Sequence, residues 1–275
     1  MPFNTSKKNM KRYQSIPKID EGFQTINQDA IGVQDKCVVL SDGAGGMGFF
    51  NEHWALRLCT SLCSCAPIKN LEDFEAWFEP LRTAFFEEQK PNITNPSRLP
   101  KYEKQGSLAT LVAAWHDNND LHLLSYGDSG LLVFDESGCL IFRNIKQLIS
   151  FTESPYLLTT AQTPYPEAFL FETIPVKSGY FLVLASDAVT QWVLTQYLLR
   201  QANNDEIQAV LDSPYALGNF VETCQKNQST TTFAHILEQM WTCLKTEDSF
   251  KECCYQKNNI SEMATDDYSL LMWRF

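Results

Sequence analysis

The chain has 275 residues, 44% of them hydrophobic and 12% aromatic, enough to fill a large core and too apolar for intrinsic disorder. Thirty-three acidic residues against 22 basic ones give a net charge of −11 and a sequence pI near 4.8, which argues against nucleic-acid binding, because phosphate contact needs a basic face. No apolar run approaches the roughly 18 residues needed to cross a bilayer, so no membrane role is expected.

Residues 1–19 read as an N-terminal tail whose basic cluster, Lys7, Lys8, Lys11 and Arg12, is solvated, with a docking arm as the second reading. After Asn27-Gln28-Asp29-Ala30, the apolar run 37–41 reads as a strand ending on Asp42 and followed by the glycine loop Gly43-Ala44-Gly45-Gly46-Met47-Gly48. Phe50, Trp54, Leu58 and Leu62 repeat every four residues, and Leu71, Phe74, Phe78, Leu81 and Phe85 continue the helical spacing in a second helix. Residues 108–115 and 121–126 flank the turn Asp117-Asn118-Asn119-Asp120. Beyond Asp128 come strands at 131–134 and 139–143, expected to extend that hairpin into an antiparallel meander. Residues 144–167, with Pro155, Pro164 and Pro166, read as a long loop, and 169–176 with 180–185 as a hairpin around Lys177-Ser178-Gly179. The second of those strands runs into Ser186-Asp187. A helical region spans about 189–260, with breaks at Pro214 and 229–232, and Asp266-Asp267 leads into a last strand at 268–273.

Strand clusters alternate with helix clusters without a βαβ rhythm. The expectation is one α+β domain over 20–275, with antiparallel sheets and helices packed outside. Its aspartates fall at strand ends, where the sheet fixes a carboxylate and the rim leaves it open. Several such groups make an all-oxygen cage suited to Mg²⁺ or Mn²⁺ rather than zinc.

Competing chemistries fare poorly. The glycine loop matches G-x-G-x-x-G, but no second strand ending in an acid follows the helix, and Asp42 would meet a pyrophosphate unfavourably. The sequence has no cysteine-phosphatase loop, no G-x-S-x-G, no P-loop lysine and no H-E-x-x-H. His53, His116, His122 and His235 are scattered. The nine cysteines lack paired C-x-x-C spacing, so they read as reduced, mostly buried thiols in a reducing compartment. The N-terminus has no apolar signal core, and a soluble cytoplasmic protein is expected.

Taken in order, Asn27-Gln28-Asp29, Asp42-Gly43-Ala44-Gly45-Gly46, Gly127-Asp128-Ser129, Ser186-Asp187 and Asp266-Asp267-Tyr268-Ser269 resemble the motif series of PPM/PP2C-type metal-dependent Ser/Thr protein phosphatases, the bacterial branch most closely. The resemblance runs from about residue 20 to the C-terminus. It implies two packed antiparallel β-sheets flanked by helices, and hydrolysis of phosphoserine and phosphothreonine on proteins with two Mn²⁺ or Mg²⁺ ions and a third, weaker one. Carried over, Asp42 would bridge two ions, the Gly43 carbonyl would bind one, and Asp187 and Asp266 would complete the first ion's shell. Asp29 would hold metal-bound water, and Asp128 with Asp187 would serve the third ion. The catalytic set is then Asp42, Asp187 and Asp266, acting through a metal-activated water. The implied partner is a phosphoprotein substrate opposing a Ser/Thr kinase, and the implied state a monomer.

The chain departs from the pattern at Gln24, where the phosphate-binding arginine is expected, and at Gln28, where an acid is usual. Ala44 replaces the histidine of eukaryotic members, Ala188 the glycine after Ser-Asp, and Gly130 the arginine after Gly-Asp-Ser. Gln24 and Gln28 favour a second reading, a pseudophosphatase keeping the fold as a binding or regulatory module. The retained carboxylates favour the enzyme, since like charges held together without a metal repel.

Overall fold

A computed structural model describes residues 9–20, 23–202 and 204–275. The side chains of 19–24 lie outside the described residues, and with them the expected role of Gln24; Lys7 and Lys8 lie outside as well.

In chain order the strands and helices are β1 Met10–Ile16, β2 Ile19–Asp20, β3 Phe23–Gln24, β4 Ala30–Val33, β5 Cys37–Ser41, α1 Asn51–Cys63, α2 Leu71–Gln89 and α3 Leu99–Gln105. The middle of the chain gives β6 Leu108–Ala109, β7 Leu111–Asp117, β8 Asp120–Tyr126, β9 Gly130–Phe134, β10 Leu140–Arg143, β11 Leu158–Thr159, β12 Phe169–Pro175 and β13 Phe181–Ala185. Helices α4 Asp187–Leu198, α5 Asp205–Leu211, α6 Ala216–Lys226, α7 Phe233–Cys243 and α8 Glu247–Asn259 precede the final strand, β14 Tyr268–Arg274.

Two five-stranded antiparallel sheets dominate the described residues. One has the order β1-β14-β13-β9-β10 and the other β12-β8-β7-β5-β4. Period-two alternation assigns each strand's faces. Val38 and Leu40 of β5, Leu182 and Leu184 of β13, and Leu271 and Trp273 of β14 meet between the sheets. The alternate residues turn outward. Cys37, Val39, Ala113 and Trp115 pack beneath α1 and α2, while Phe181, Val183, Leu270 and Met272 pack beneath the α4–α8 helices. The result is a four-layer α-β-β-α sandwich in which the central strands are buried on both faces.

Four sequence expectations change. Met10–Ile16, expected in the tail, is an edge strand paired along its length with β14. Its Lys11 ammonium lies 3.9 Å from the centre of the Trp273 ring and its Arg12 guanidinium 4.4 Å from that of Trp241, so two of the basic residues cover aromatic rings. The expected meander breaks after β8, which pairs with β7 and β12, whereas β9 pairs with β10 and β13. The chain therefore changes sheets across Gly127-Asp128-Ser129. The expected hairpin at 169–185 is not one either, because β12 edges one sheet while β13 is central to the other, so Lys177-Ser178-Gly179 crosses between layers. In both places turn residues look alike whether the chain folds back on the same sheet or passes to the next one. The 144–167 segment also carries β11, paired with β6.

Candidate active site

The loops after β5, β8 and β13, and those before β4 and β14, bring five aspartates to one edge of the sandwich. Asp42 follows the last residue of β5, and its backbone N–H donates to Thr110 Oγ1 at 3.1 Å. That hydroxyl is also 2.6 Å from Ser129 Oγ, beside Asp128, and Asn144 Nδ2 holds the Ser129 carbonyl at 2.8 Å. Thr110, Ser129 and Asn144 thus lock the loops of both sheets together. Neither Thr110 nor Asn144 is marked in the sequence, since an isolated threonine or asparagine carries no spacing signal.

The glycine loop is shaped by Asn51, the first residue of α1. Its Nδ2 donates to the Ala44 and Met47 carbonyls, and its Oδ1 accepts from Leu108 N–H at 2.9 Å. Gly48, with φ +71°, comes so close to this side chain that a Cβ would stand 2.7 Å from Asn51 Oδ1. The strand before the loop, β5, has antiparallel neighbours on both sides, β4 and β7, which is incompatible with a dinucleotide-binding βαβ unit.

Asp29 stands before β4, its backbone N–H donating to Asn27 Oδ1 at 3.0 Å. Asn27 Nδ2 donates to Ser15 Oγ at 2.7 Å, and Ser15 Oγ in turn lies 2.7 Å from Ser269 Oγ on β14. Asp187 opens α4, with one carboxylate oxygen turned to the Ala188 N–H. The neighbouring acids Asp266 and Asp267 divide their work. Asp267 is 5% exposed, and its carboxylate accepts from the Lys18 and Gln28 backbone N–H groups, at 2.9 and 2.7 Å. Asp266 keeps a half-exposed carboxylate, 3.5 Å from Lys18 Nζ. Lys18 is a cation at the site that no sequence motif marks.

The electrostatics tie the five together. Burial, followed by the charges of Asp29, Asp187, Asp128 and Asp266, holds Asp42 well above the ordinary carboxylate range. Asp187 is raised in the same way, by burial and then by Asp128 and Asp266. Burial, with Asp267 next in effect, lifts Asp29 to about 7, and burial lifts Asp128 to about 6. The Ser269 hydroxyl and the Asp42 carboxyl oppose this at Asp29 only in part, and both Asp29 carboxylate oxygens are buried without a hydrogen bond of normal geometry. A buried, unpartnered carboxylate is costly unless something positive meets it.

That donor set, several carboxylates with unused oxygens and no histidine or cysteine among them, fits a hard divalent cation. As the side chains stand, no three His, Cys, Asp or Glu groups among the described residues converge closely enough to hold one ion. The described cysteines are all free thiols. The imidazoles lie elsewhere: His116 packs on Trp273 and Phe275, His122 meets Thr173 Oγ1 at 3.0 Å, and His53 stacks on Phe50.

Two departures acquire a location. Gln28 accompanies the glycine loop, its Oε1 3.7 Å from where a Gly45 Cβ would stand. At Gly130 a Cβ would fall 2.3 Å from Thr190 Oγ1 of α4, so Thr190 fills the space a side chain there would need.

Against solved structures, the chain aligns over 97% of its length with the catalytic domain of the serine/threonine protein phosphatase PstP solved with two manganese ions (TM-score 0.55, 14% identity, 97% of that chain). It aligns likewise with the PstP/Ppp phosphatase of Mycobacterium tuberculosis (TM-score 0.54, 14% identity, 97% and 98% of the two chains). A bacterial serine phosphatase gives TM-score 0.52 at 14% identity, covering 97% of each chain. No protein-family model and no curated protein matches the sequence. The fold is that of the bacterial PP2C-type phosphatase domain.

Proposed function

We propose that this chain is a metal-dependent phosphatase acting on phosphoserine and phosphothreonine in proteins. The observation that carries the reading is Asp29, a buried carboxylate neither of whose oxygens makes a hydrogen bond of normal geometry, beside Asp42, Asp128, Asp187 and Asp266. Buried as they are, Asp29, Asp42, Asp128 and Asp187 keep protons they would otherwise lose, and a cation is what would release them. Asp42, Asp187 and Asp266, with the Gly43 carbonyl, would hold Mn²⁺ or Mg²⁺, with Asp29 and Asp128 serving further ions. A bound divalent cation acidifies water and neutralises phosphoryl oxygens during in-line displacement.

The chain's own groups do the positioning. Thr110 fixes Asp42 and the Ser129 loop, Asn144 fixes the same loop, and Asp267 anchors the segment carrying Asp29 through Gln28. Lys18, with its ammonium beside Asp266, is placed to meet an anionic substrate at the rim. The partner would be a phosphoprotein opposing a Ser/Thr kinase, and the chain would act as a cytoplasmic monomer. Among the described residues no helix is long and apolar enough to cross a membrane.

The pseudophosphatase reading draws its support from Gly130, where Thr190 occupies the side-chain space, and from the neutral amide of Gln28. Hydrolysis of p-nitrophenyl phosphate with Mn²⁺, Mg²⁺ or EDTA decides between them. The enzyme reading expects turnover with either metal and none in EDTA. A folded, metal-binding protein without turnover establishes the alternative.

A further inference from the structure

Beside the carboxylate edge lies a cavity of about 750 Å³, within the size range of ligand sites, roofed by α6 and floored by the start of α4 and the loop before Asp266. It is continuous with the site in sequence and in space. Thr265 precedes Asp266, and Gln191 lies one helical turn beyond Asp187. Phe151 lines this cavity and also a second one that contains Asp128.

Its chemistry differs from that of three other cavities among the described residues, each of which has charged side chains in its lining. In a chain of net charge −11, this lining has no acidic, lysine, arginine or histidine side chain among the described residues. Phe151 and Phe220 give it half-buried aromatic walls, and Tyr215, 52% exposed, stands at the mouth. Among the described residues the side-chain amides of Gln191 and Asn219 make no hydrogen bond and are free to meet a peptide backbone. The loop itself is held in place. Asn258 Nδ2 donates to the Met263 carbonyl at 3.0 Å and to Thr265 Oγ1 at 2.9 Å, so the wall nearest Asp266 is preformed.

Taking the phosphatase reading as its basis, we infer that this groove binds the polypeptide flanking the phosphorylated residue, and that it selects a large uncharged side chain, aromatic or aliphatic, over an acidic one. Aromatic walls reward apolar burial. An acidic flanking residue would be desolvated there with no cation in the lining to pair with it. Free amides on the wall can take a peptide N–H and C=O without regard to sequence.

The test uses the full chain with Mn²⁺ and two phosphoserine peptides, identical except for leucine or aspartate at the three positions on either side of the phosphoserine. Turnover of p-nitrophenyl phosphate, too small to reach the groove, reports on the phosphatase reading alone. Fluorescence anisotropy of the labelled peptides reports on the groove whether or not turnover occurs. The leucine peptide should bind and turn over about tenfold better than the aspartate peptide. Tyr215→Ala, which removes an aromatic wall, and Asn219→Lys, which gives an acidic side chain a cation to pair with, both at exposed positions, should each reduce that preference severalfold while the small ester is hydrolysed as before. Equal handling of the two peptides, or variants that slow ester and peptide alike, would overturn the groove assignment. Failure on the ester together with a preserved binding preference would sink the enzyme reading and keep the groove.

Discussion

The Asp267 carboxylate accepts the backbone N–H of Gln28 at 2.7 Å, joining the residue before β14 of one sheet to the segment that delivers Asp29 to the other. A second bond, from Lys18 N–H at 2.9 Å, uses its other oxygen. Asp267 is therefore a positioning residue, and its neighbour Asp266 is the one left open at the site.

The pair should separate cleanly on substitution. Asp267→Asn puts an amide N–H against one of two backbone donors and should destabilise the fold by about 1–3 kcal/mol. Asp266→Asn should leave the melting temperature in EDTA close to wild type but weaken Mn²⁺ binding. Thermal unfolding and titration calorimetry on both variants check this. Equal melting temperatures for the two would remove the structural role given to Asp267.

Mn²⁺ should raise the melting temperature, because a ligand bound by the native state alone stabilises it by roughly 2.7 kcal/mol at one hundred times its Kd. Asp42→Asn and Asp187→Asn should abolish that shift, while each raises the melting temperature in EDTA by relieving repulsion among buried carboxylates. Scanning calorimetry with and without metal reads both effects. A full Mn²⁺ shift in Asp187→Asn would show that this carboxylate is not a ligand.

The metal-free protein should lose stability as pH rises. Asp29 has a folded-state pKa of about 7 against an ordinary value of 3.8. Below the ordinary value both states carry the proton. Between the two values the unfolded chain releases it and the folded one does not, so the penalty grows from about pH 4 and is complete above about pH 7. In EDTA the melting temperature should fall across that window, and Asp29→Asn should flatten the slope. An unchanged slope in Asp29→Asn would mean that another group titrates there.

Gly130 and Thr190 define the fourth expectation. With Thr190 Oγ1, Cγ2 and Cβ at 2.3, 2.5 and 2.9 Å from the position of a Cβ, Gly130→Ala must push β9 from α4 and should cost about 1–3 kcal/mol. Thr190→Ala alone loses the hydroxyl bonds to the Ala185 and Ser186 carbonyls, yet combined with Gly130→Ala it should recover part of the loss. Denaturant unfolding of the cycle measures the coupling. Strict additivity would show that the helix simply moves aside.

Much of the site was legible in the chain. Val38 and Leu40 alternate with Cys37 and Val39, and the spacing of Trp54, Leu58 and Leu62 sets a buried helix face, so strand and helix follow from local periodicity. Asp42 and Asp187 mark where strands stop and Asp266 where one is about to start, because a carboxylate is tolerated at a strand end and not within one buried on both faces. Which strands pair was not legible. The turns at Asp128 and at 177–179 have the composition of hairpins, but the chain changes sheets at both, and only the packing of Leu131 and Leu182 between the layers decides it. Lys11 and Arg12 read as solvated charges because no local signal announces Trp273 and Trp241, more than two hundred residues away. The sequence alone determined the central strands, the amphipathic helices and the carboxylates beside them. The tertiary structure decided the pairing of strands, the roles of Thr110, Asn144 and Asp267, and the burial that raises Asp29, since each depends on contacts between segments far apart in the chain.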